Sequence, residues 1–211
     1  MKRISSGIKG LDDLIGGGFP EGSIILISGK AGTGKSSFCA SFLYEGFKNN
    51  EAGIYVTTEI SKEDIKKDLL QTFGWNFEEF ENKGLLSFIE IEPTFSAFSE
   101  RTFEKDCGSI VKIYVYDVLD KISKEAKRLN AKRLVIDSIT LIESFIRDEY
   151  LRRAALILFV NRLKRLNLTT LITSQIPQVN PNSLSISGIL EFLVDGIIKL
   201  DYNPEREEFK R

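Results

Sequence analysis

The chain has 211 residues, 42% of them hydrophobic and 28% charged, with a formal net charge of −1; that is enough for one α/β domain over residues 1–211 with a sizeable core, and it excludes a generally basic nucleic-acid coat, so any contact with DNA must rest on a local patch. Histidine is absent, which removes histidine metal sites, Ser-His-Asp catalysis and histidine proton shuttles together, and the two cysteines, Cys39 and Cys107, make no disulfide framework. No apolar run reaches the about 18 residues of a transmembrane helix, and residues 1–6 lack the apolar core of a signal peptide, so a cytoplasmic protein without membrane contact is expected.

Residues 7–15 read as a short amphipathic helix, broken by Gly16-Gly17-Gly18 and Pro20. Residues 24–28 are branched and apolar, as in a buried parallel strand. Then comes Gly29-Lys30-Ala31-Gly32-Thr33-Gly34-Lys35-Ser36, a full match to the pattern G-x-x-x-x-G-K-[ST], followed by Ser37 and a helix over about residues 36–49. Strand, glycine loop and helix in this order make a phosphate site. The glycines let the backbone turn its N–H groups inward, and the positive end of the helix dipole lies at the same place. Lys35 would reach the β- and γ-phosphates, and the Ser36 hydroxyl would ligate Mg²⁺. Cys39, within that helix, reads as a small core residue.

A second strand over residues 52–58 ends in Glu59. Ser61 with Asp64 three residues on marks a helix start, and the helix runs over residues 62–73, with a shorter one over 76–82. Residues 85–91 read as a strand, 93–108 as an irregular excursion, and 115–129 as a helix. A fourth strand, 133–137, ends in Asp137; a long helix over 150–166 shows a stripe of Leu151, Ala154, Ala155, Leu158, Val160 and Leu163. Strand 169–174, a loop over 177–187 and a last strand 196–200 complete the chain. Strands alternating with helices predict an α/β fold: a mostly parallel sheet with helices on both faces.

In such a sheet Lys35, Glu59, Asp137 and Gln175 share one edge, at the carboxyl ends of the strands. Asp137 there holds a water of a Mg²⁺ shell or touches Ser36, or is a structural acid. Glu59 polarises an attacking water or is a solvated loop acid, and Gln175 senses a γ-phosphate or is a polar strand end.

These residues resemble a family. Gly7-Ile8-Lys9-Gly10-Leu11-Asp12 with Gly16-Gly17-Gly18-Phe19-Pro20-Glu21-Gly22 resembles the opening of KaiC-like ATPases of the RecA superfamily. The phosphate loop, Tyr55-Val56-Thr57-Thr58-Glu59, Leu134-Val135-Ile136-Asp137-Ser138 and Thr173-Ser174-Gln175 follow in that family's order. The chain is also similar to archaeal RadA paralogues, often called RadC, linked to recombination and repair. The resemblance spans about residues 4–200 and implies a RecA-like P-loop fold that binds ATP and Mg²⁺. It implies Lys35, Glu59 and Gln175 as catalytic residues, residues 29–37 as the nucleotide loop, and Ser36 with Asp137 as the metal residues. As partners it implies a recombinase or other RecA-like protein, or further copies of this chain. Two departures stand out. Glu59 is followed by Ile60 where many KaiC-type domains carry a second glutamate. The chain also ends before the basic hairpin that reaches a neighbour's ATP, leaving Lys199, Lys210 or Arg211 to meet that role.

RecA-type proteins touch single-stranded DNA with two loops, which fall here at about residues 142–153 and 177–187. Arg147, Arg152 and Arg153, near Phe145 and Tyr150, make a weak, salt-sensitive DNA contact or a solvated helix start. Three functions compete: a slow ATPase in recombination or repair, an ATP-binding module that signals to a protein partner, and a kinase, for which no acceptor pocket is evident.

Overall fold

The computed structural model describes residues 2–91, 107–146, 148–176 and 183–202. Two short strands, β1 (Arg3–Ile4) and β2 (Phe19–Pro20), pair antiparallel at the start of the chain. Between them lies α1 (Leu11–Leu14), a single turn. The helix expected over residues 7–15 is thus cut short, because Gly7, Gly10 and Gly16 take φ of 73°, 82° and 75°, which a right-handed helix excludes. Asp12 binds back instead, accepting from Ser5 Oγ at 2.7 Å and the Ser6 N–H at 2.9 Å.

β3 (Ile24–Gly29) runs into the glycine loop and α2 (Lys35–Lys48). β4 (Gly53–Thr57), α3 (Lys62–Phe73), α4 (Phe77–Asn82) and β5 (Leu86–Glu90) follow. Ser61 caps α3 as expected, its hydroxyl accepting from the Asp64 N–H, and Gly74 at φ 71° ends it. α5 (Cys107–Leu129) begins earlier than the sequence reading put it. Val111, Tyr114, Val115, Val118, Leu119 and Ile122 continue one buried face at helical spacing. Residues 93–106 of the expected excursion lie outside the described residues.

β6 (Arg133–Asp137), α6 (Thr140–Phe145), α7 (Glu149–Lys164), β7 (Thr169–Gln175) and β8 (Gly196–Leu200) complete the described fold. Most of the stripe read on α7 faces inward, but Ala154 is exposed and Leu156 and Phe159 fill the buried face in its stead. In the segment taken for the first DNA loop, residues 142–145 belong to α6 and residues 149–153 to α7, and the Asp148 carboxylate caps α7 through the Leu151 N–H at 2.8 Å.

The main sheet has six strands in the order β5-β4-β6-β7-β3-β8, and every pairing in it is parallel. Side-chain alternation divides the strands other than the edge strand β8 between two cores. Ile24, Leu26, Ile54, Val56, Leu134, Ile136 and Ile172 face α5 and α7. Ile25, Ile27, Tyr55, Val135 and Leu171 face α2, α3 and α4. Helices therefore cover both faces, which is why these strands read as unbroken apolar runs rather than as alternating ones. Among the described residues no helix is long and apolar enough to cross a membrane.

Candidate active site at the carboxyl edge of the sheet

The phosphate loop takes its shape from its glycines. Gly32 and Gly34 sit at φ 78° and 89°, and Gly34 is the N-cap of the 14-residue helix α2. Gly29 is needed for another reason: a Cβ there would lie 2.5 Å from Thr33 Oγ1 and 2.7 Å from the Leu200 carbonyl oxygen. Thr33 Oγ1 donates to the Lys30 carbonyl at 2.8 Å. Lys35 Nζ closes the loop by donating to the carbonyls of Gly29 and Lys30 at 2.9 and 2.8 Å. Partial burial pushes the Lys35 ammonium's pKa down, while the charges of Asp137 and Glu59 oppose that fall. Ser36 is exposed in the first turn of α2, with Ser37 half-buried beside it, and Lys30 and Ala31 are exposed at the top of the loop.

The acids reach this loop from β6 and β4. Asp137 ends β6 opposite Thr57. Both its oxygens are engaged: Oδ1 accepts from Thr173 Oγ1 at 2.6 Å and Oδ2 from the Tyr55 hydroxyl at 2.7 Å. Burial, and then the Asp137 charge, push the Tyr55 pKa well up, so its hydroxyl stays a donor. Neither partner was found by reading the sequence. Tyr55 carried a signal, as a phenol inside the wholly buried strand β4; Thr173 did not, being one of several hydroxyl residues in β7. Tyr55→Phe is expected to remove one bond to a charged acceptor and lower the melting temperature by about 3–6 °C. Differential scanning calorimetry checks this, and an unchanged melting temperature would show that the bond adds no net stability.

Thr58 stitches the ends of β4 and β6 together. Its Oγ1 donates to the Ser138 carbonyl at 3.1 Å and accepts from the Ser138 N–H at 3.2 Å. Glu59 comes next in the chain, exposed, with its Oε1 accepting from Ser138 Oγ at 2.7 Å. Gln175 ends β7 in register with Gly29 and is exposed. The structure thus brings Lys35, Glu59, Asp137 and Gln175 to one edge, as the sequence reading expected.

Of the three arginines, two fall among the described residues. Arg147 lies outside the described residues. Arg152 is half-buried and donates to the Ile146 carbonyl at 3.1 Å, while Arg153 is exposed on α7. Two acids missed by the sequence reading organise the chain after β7. Glu143, 1% exposed, accepts from Ser174 Oγ at 2.7 Å and from the Ser187 N–H at 3.0 Å. Glu191 accepts from the N–H groups of Leu184 and Ser185 at 2.7 and 2.9 Å. Glu143 carried a signal in the sequence, as a lone acid in an apolar run.

The donor set fits a nucleotide triphosphate with Mg²⁺. Loop N–H groups and a helix N-terminus suit phosphate oxygens. An exposed hydroxyl at Ser36 and a carboxylate at Asp137 are the hard oxygen donors that Mg²⁺ takes alongside phosphates and waters.

Comparisons with known proteins agree with this geometry. A family model described as "ATPase: KaiC" matches residues 4–211. A UPF0273 protein of Thermotoga maritima is 34% identical over 212 residues, covering 100% of this chain and 84% of that protein. The circadian clock oscillator protein KaiC of Thermosynechococcus vestitus is 32% identical over 219 residues, which is 39% of its length. The crystal structure of a KaiC-like protein from Pyrococcus horikoshii superposes with a TM-score of 0.80 at 35% identity, covering 98% of this chain and 84% of that one.

Proposed function

The chain belongs to the KaiC-like ATPase family, and from that premise we propose that it is one RecA-like ATPase domain that binds ATP with Mg²⁺ and hydrolyses it slowly. The reading rests on one observation: the loop lysine, two acids and a terminal amide converge on one sheet edge from three different strands and one helix. Residues 29–37 hold the phosphates, with Lys35 exchanging its loop carbonyls for the β- and γ-oxygens. Ser36 and Asp137 are the residues that hold the metal, which when bound neutralises phosphate charge. Glu59 orients the attacking water and takes its proton, and Gln175 reads the γ-phosphate. Ser138 keeps the Glu59 carboxylate in place.

A second reading is a regulatory module that binds ATP and signals to a protein partner with little turnover. Ile60, 48% exposed beside Glu59, favours it, because it stands where a second glutamate would offer another base. The finer role in recombination or repair, as in RadA paralogues, draws support from the exposed Arg153 and from the likeness of the motifs. Its partners would be single-stranded DNA and another RecA-like protein.

The test is phosphate release from ATP and Mg²⁺ on size-fractionated protein, with and without single-stranded DNA. Turnover that rises with DNA is the result expected for the recombination role. Turnover indifferent to DNA keeps the ATPase and removes that role. Tight ATP binding with no turnover in either condition replaces the ATPase with the signalling module.

A further inference from the structure

Register puts side chains from three strands on one face of the sheet. Tyr55 pairs with Val135 across β4 and β6, and Val135 pairs with Leu171 across β6 and β7. All three lie in the core that α2 covers. Asp137 and Thr173 come two residues further along their strands, so they point to that same face. The Tyr55 hydroxyl and Thr173 Oγ1 therefore reach the Asp137 carboxylate from the strands on either side of it, at 2.7 and 2.6 Å. The helix over this face begins with Lys35 and Ser36.

The phenol is a rigid donor. Tyr55 is 1% exposed, and its ring packs against Phe88 with centroids 5.4 Å apart. The core uses only the ring; the hydroxyl serves the carboxylate. Ser36 acts on the same phenol from the first turn of α2. Burial, and then the Asp137 charge, raise the Tyr55 pKa, and the Ser36 side chain lowers it through a hydrogen bond. The hydroxyl thus lies between the two side chains proposed for the metal. An ionised carboxylate has about four acceptor sites, so each Asp137 oxygen keeps one once its donor is in place. With its two oxygens tied to two different strands, the carboxylate does not turn, and those free sites keep a fixed direction.

We propose that Tyr55 is a positioning residue for the Mg²⁺ site: its hydroxyl fixes Asp137 in the orientation in which, with Ser36, it serves the cation of a bound nucleotide. This rests on the ATP-site reading above. Partners that orient a metal residue in this way are typically worth about 10- to 100-fold in metal affinity. Without the hydroxyl, Thr173 holds one oxygen only, and the carboxylate is free to turn about that bond.

Titration calorimetry on the whole chain, run below the melting transition, reads ATP affinity in EDTA and over a series of Mg²⁺ concentrations. Tyr55→Phe is expected to leave ATP affinity in EDTA within about twofold. It is expected to raise about tenfold the Mg²⁺ concentration that gives half the gain in affinity. Thr173→Val removes the other donor and is expected to move this midpoint in the same direction. A Tyr55 that only stabilises the fold would shift the melting temperature and not the midpoint, so a midpoint within about twofold of wild type overturns the proposal. Equal weakening of ATP with and without Mg²⁺ overturns it too, because the substitution then acts on the phosphate loop. A lower midpoint overturns it in another way, by showing that the phenol competes with the cation for the carboxylate. Wild-type ATP binding indifferent to Mg²⁺ removes the metal role of Asp137 and the proposal with it. Wild-type protein that binds no ATP in either condition overturns the ATP site itself, a separate result.

Discussion

Glu59→Gln is expected to hold ATP within about twofold of wild type and to turn it over at least about tenfold more slowly, a conservative figure for a general base worth about 10²- to 10⁴-fold. The substitution is informative because it leaves the geometry intact. Ser138 Oγ donates to Glu59 Oε1 at 2.7 Å and itself accepts from the Thr140 N–H at 3.2 Å. A glutamine carbonyl accepts the same bond, so the side chain stays where it is and loses only its charge and basicity. Single-turnover phosphate release read beside equilibrium ATP binding separates the two effects. If turnover stays at the wild-type rate, the base lies elsewhere. Loss of binding would instead make Glu59 part of the nucleotide pocket.

The central strands β3, β4, β6 and β7 were legible because they are buried on both faces, and that doubles the apolar signal; the edge strand β8 alternates between half-buried and exposed residues. Ile24, Ile25, Leu26 and Ile27 alternate between two cores, yet all are branched and apolar. The phosphate loop was legible because its glycines answer local demands, such as the left-handed turns at Gly32 and Gly34. What stayed hidden depends on register across the sheet. That Tyr55 and Thr173 hold Asp137 follows from β4 and β7 lying on either side of β6, and no local pattern carries that order. The pair β1 and β2 is too short, at two residues each, to show a period. α6 was read as loop because its six residues follow a strand and sit among arginines and acids.

At the other edge of the sheet, Arg133→Met is expected to lower the melting temperature by about 6–12 °C, corresponding to about 3 kcal/mol at the low end for breaking a buried ion pair. Arg133 opens β6 and is 1% exposed. Its Nε and Nη2 donate to Glu51 Oε2 at 2.9 and 2.6 Å, and its Nη1 to the carbonyls of Ser5 and Phe42 at 2.7 and 2.8 Å. The guanidinium carbon lies 4.6 Å from the Phe42 ring centroid. Gly46 makes room for it on α2, since a Cβ there would come 2.4 Å from Arg133 Nε. One side chain thus joins the N-terminal segment, α2 and the turn before β4. Methionine fills much of the volume but leaves two carbonyls without their donor, which is where the loss arises. The low end of the range applies because the Glu51 side chain is 29% exposed and regains water when its partner goes. Glu51→Gln is the control: its amide oxygen still accepts from the guanidinium, so it is expected to cost only about 1 kcal/mol. ATP affinity measured below the transition is expected to stay within about twofold in Arg133→Met, because the pin and the phosphate loop lie at opposite ends of the strands. A melting temperature within about 2 °C of wild type would mean that the N-terminal segment is held by Ile4 and Phe19 in the core instead.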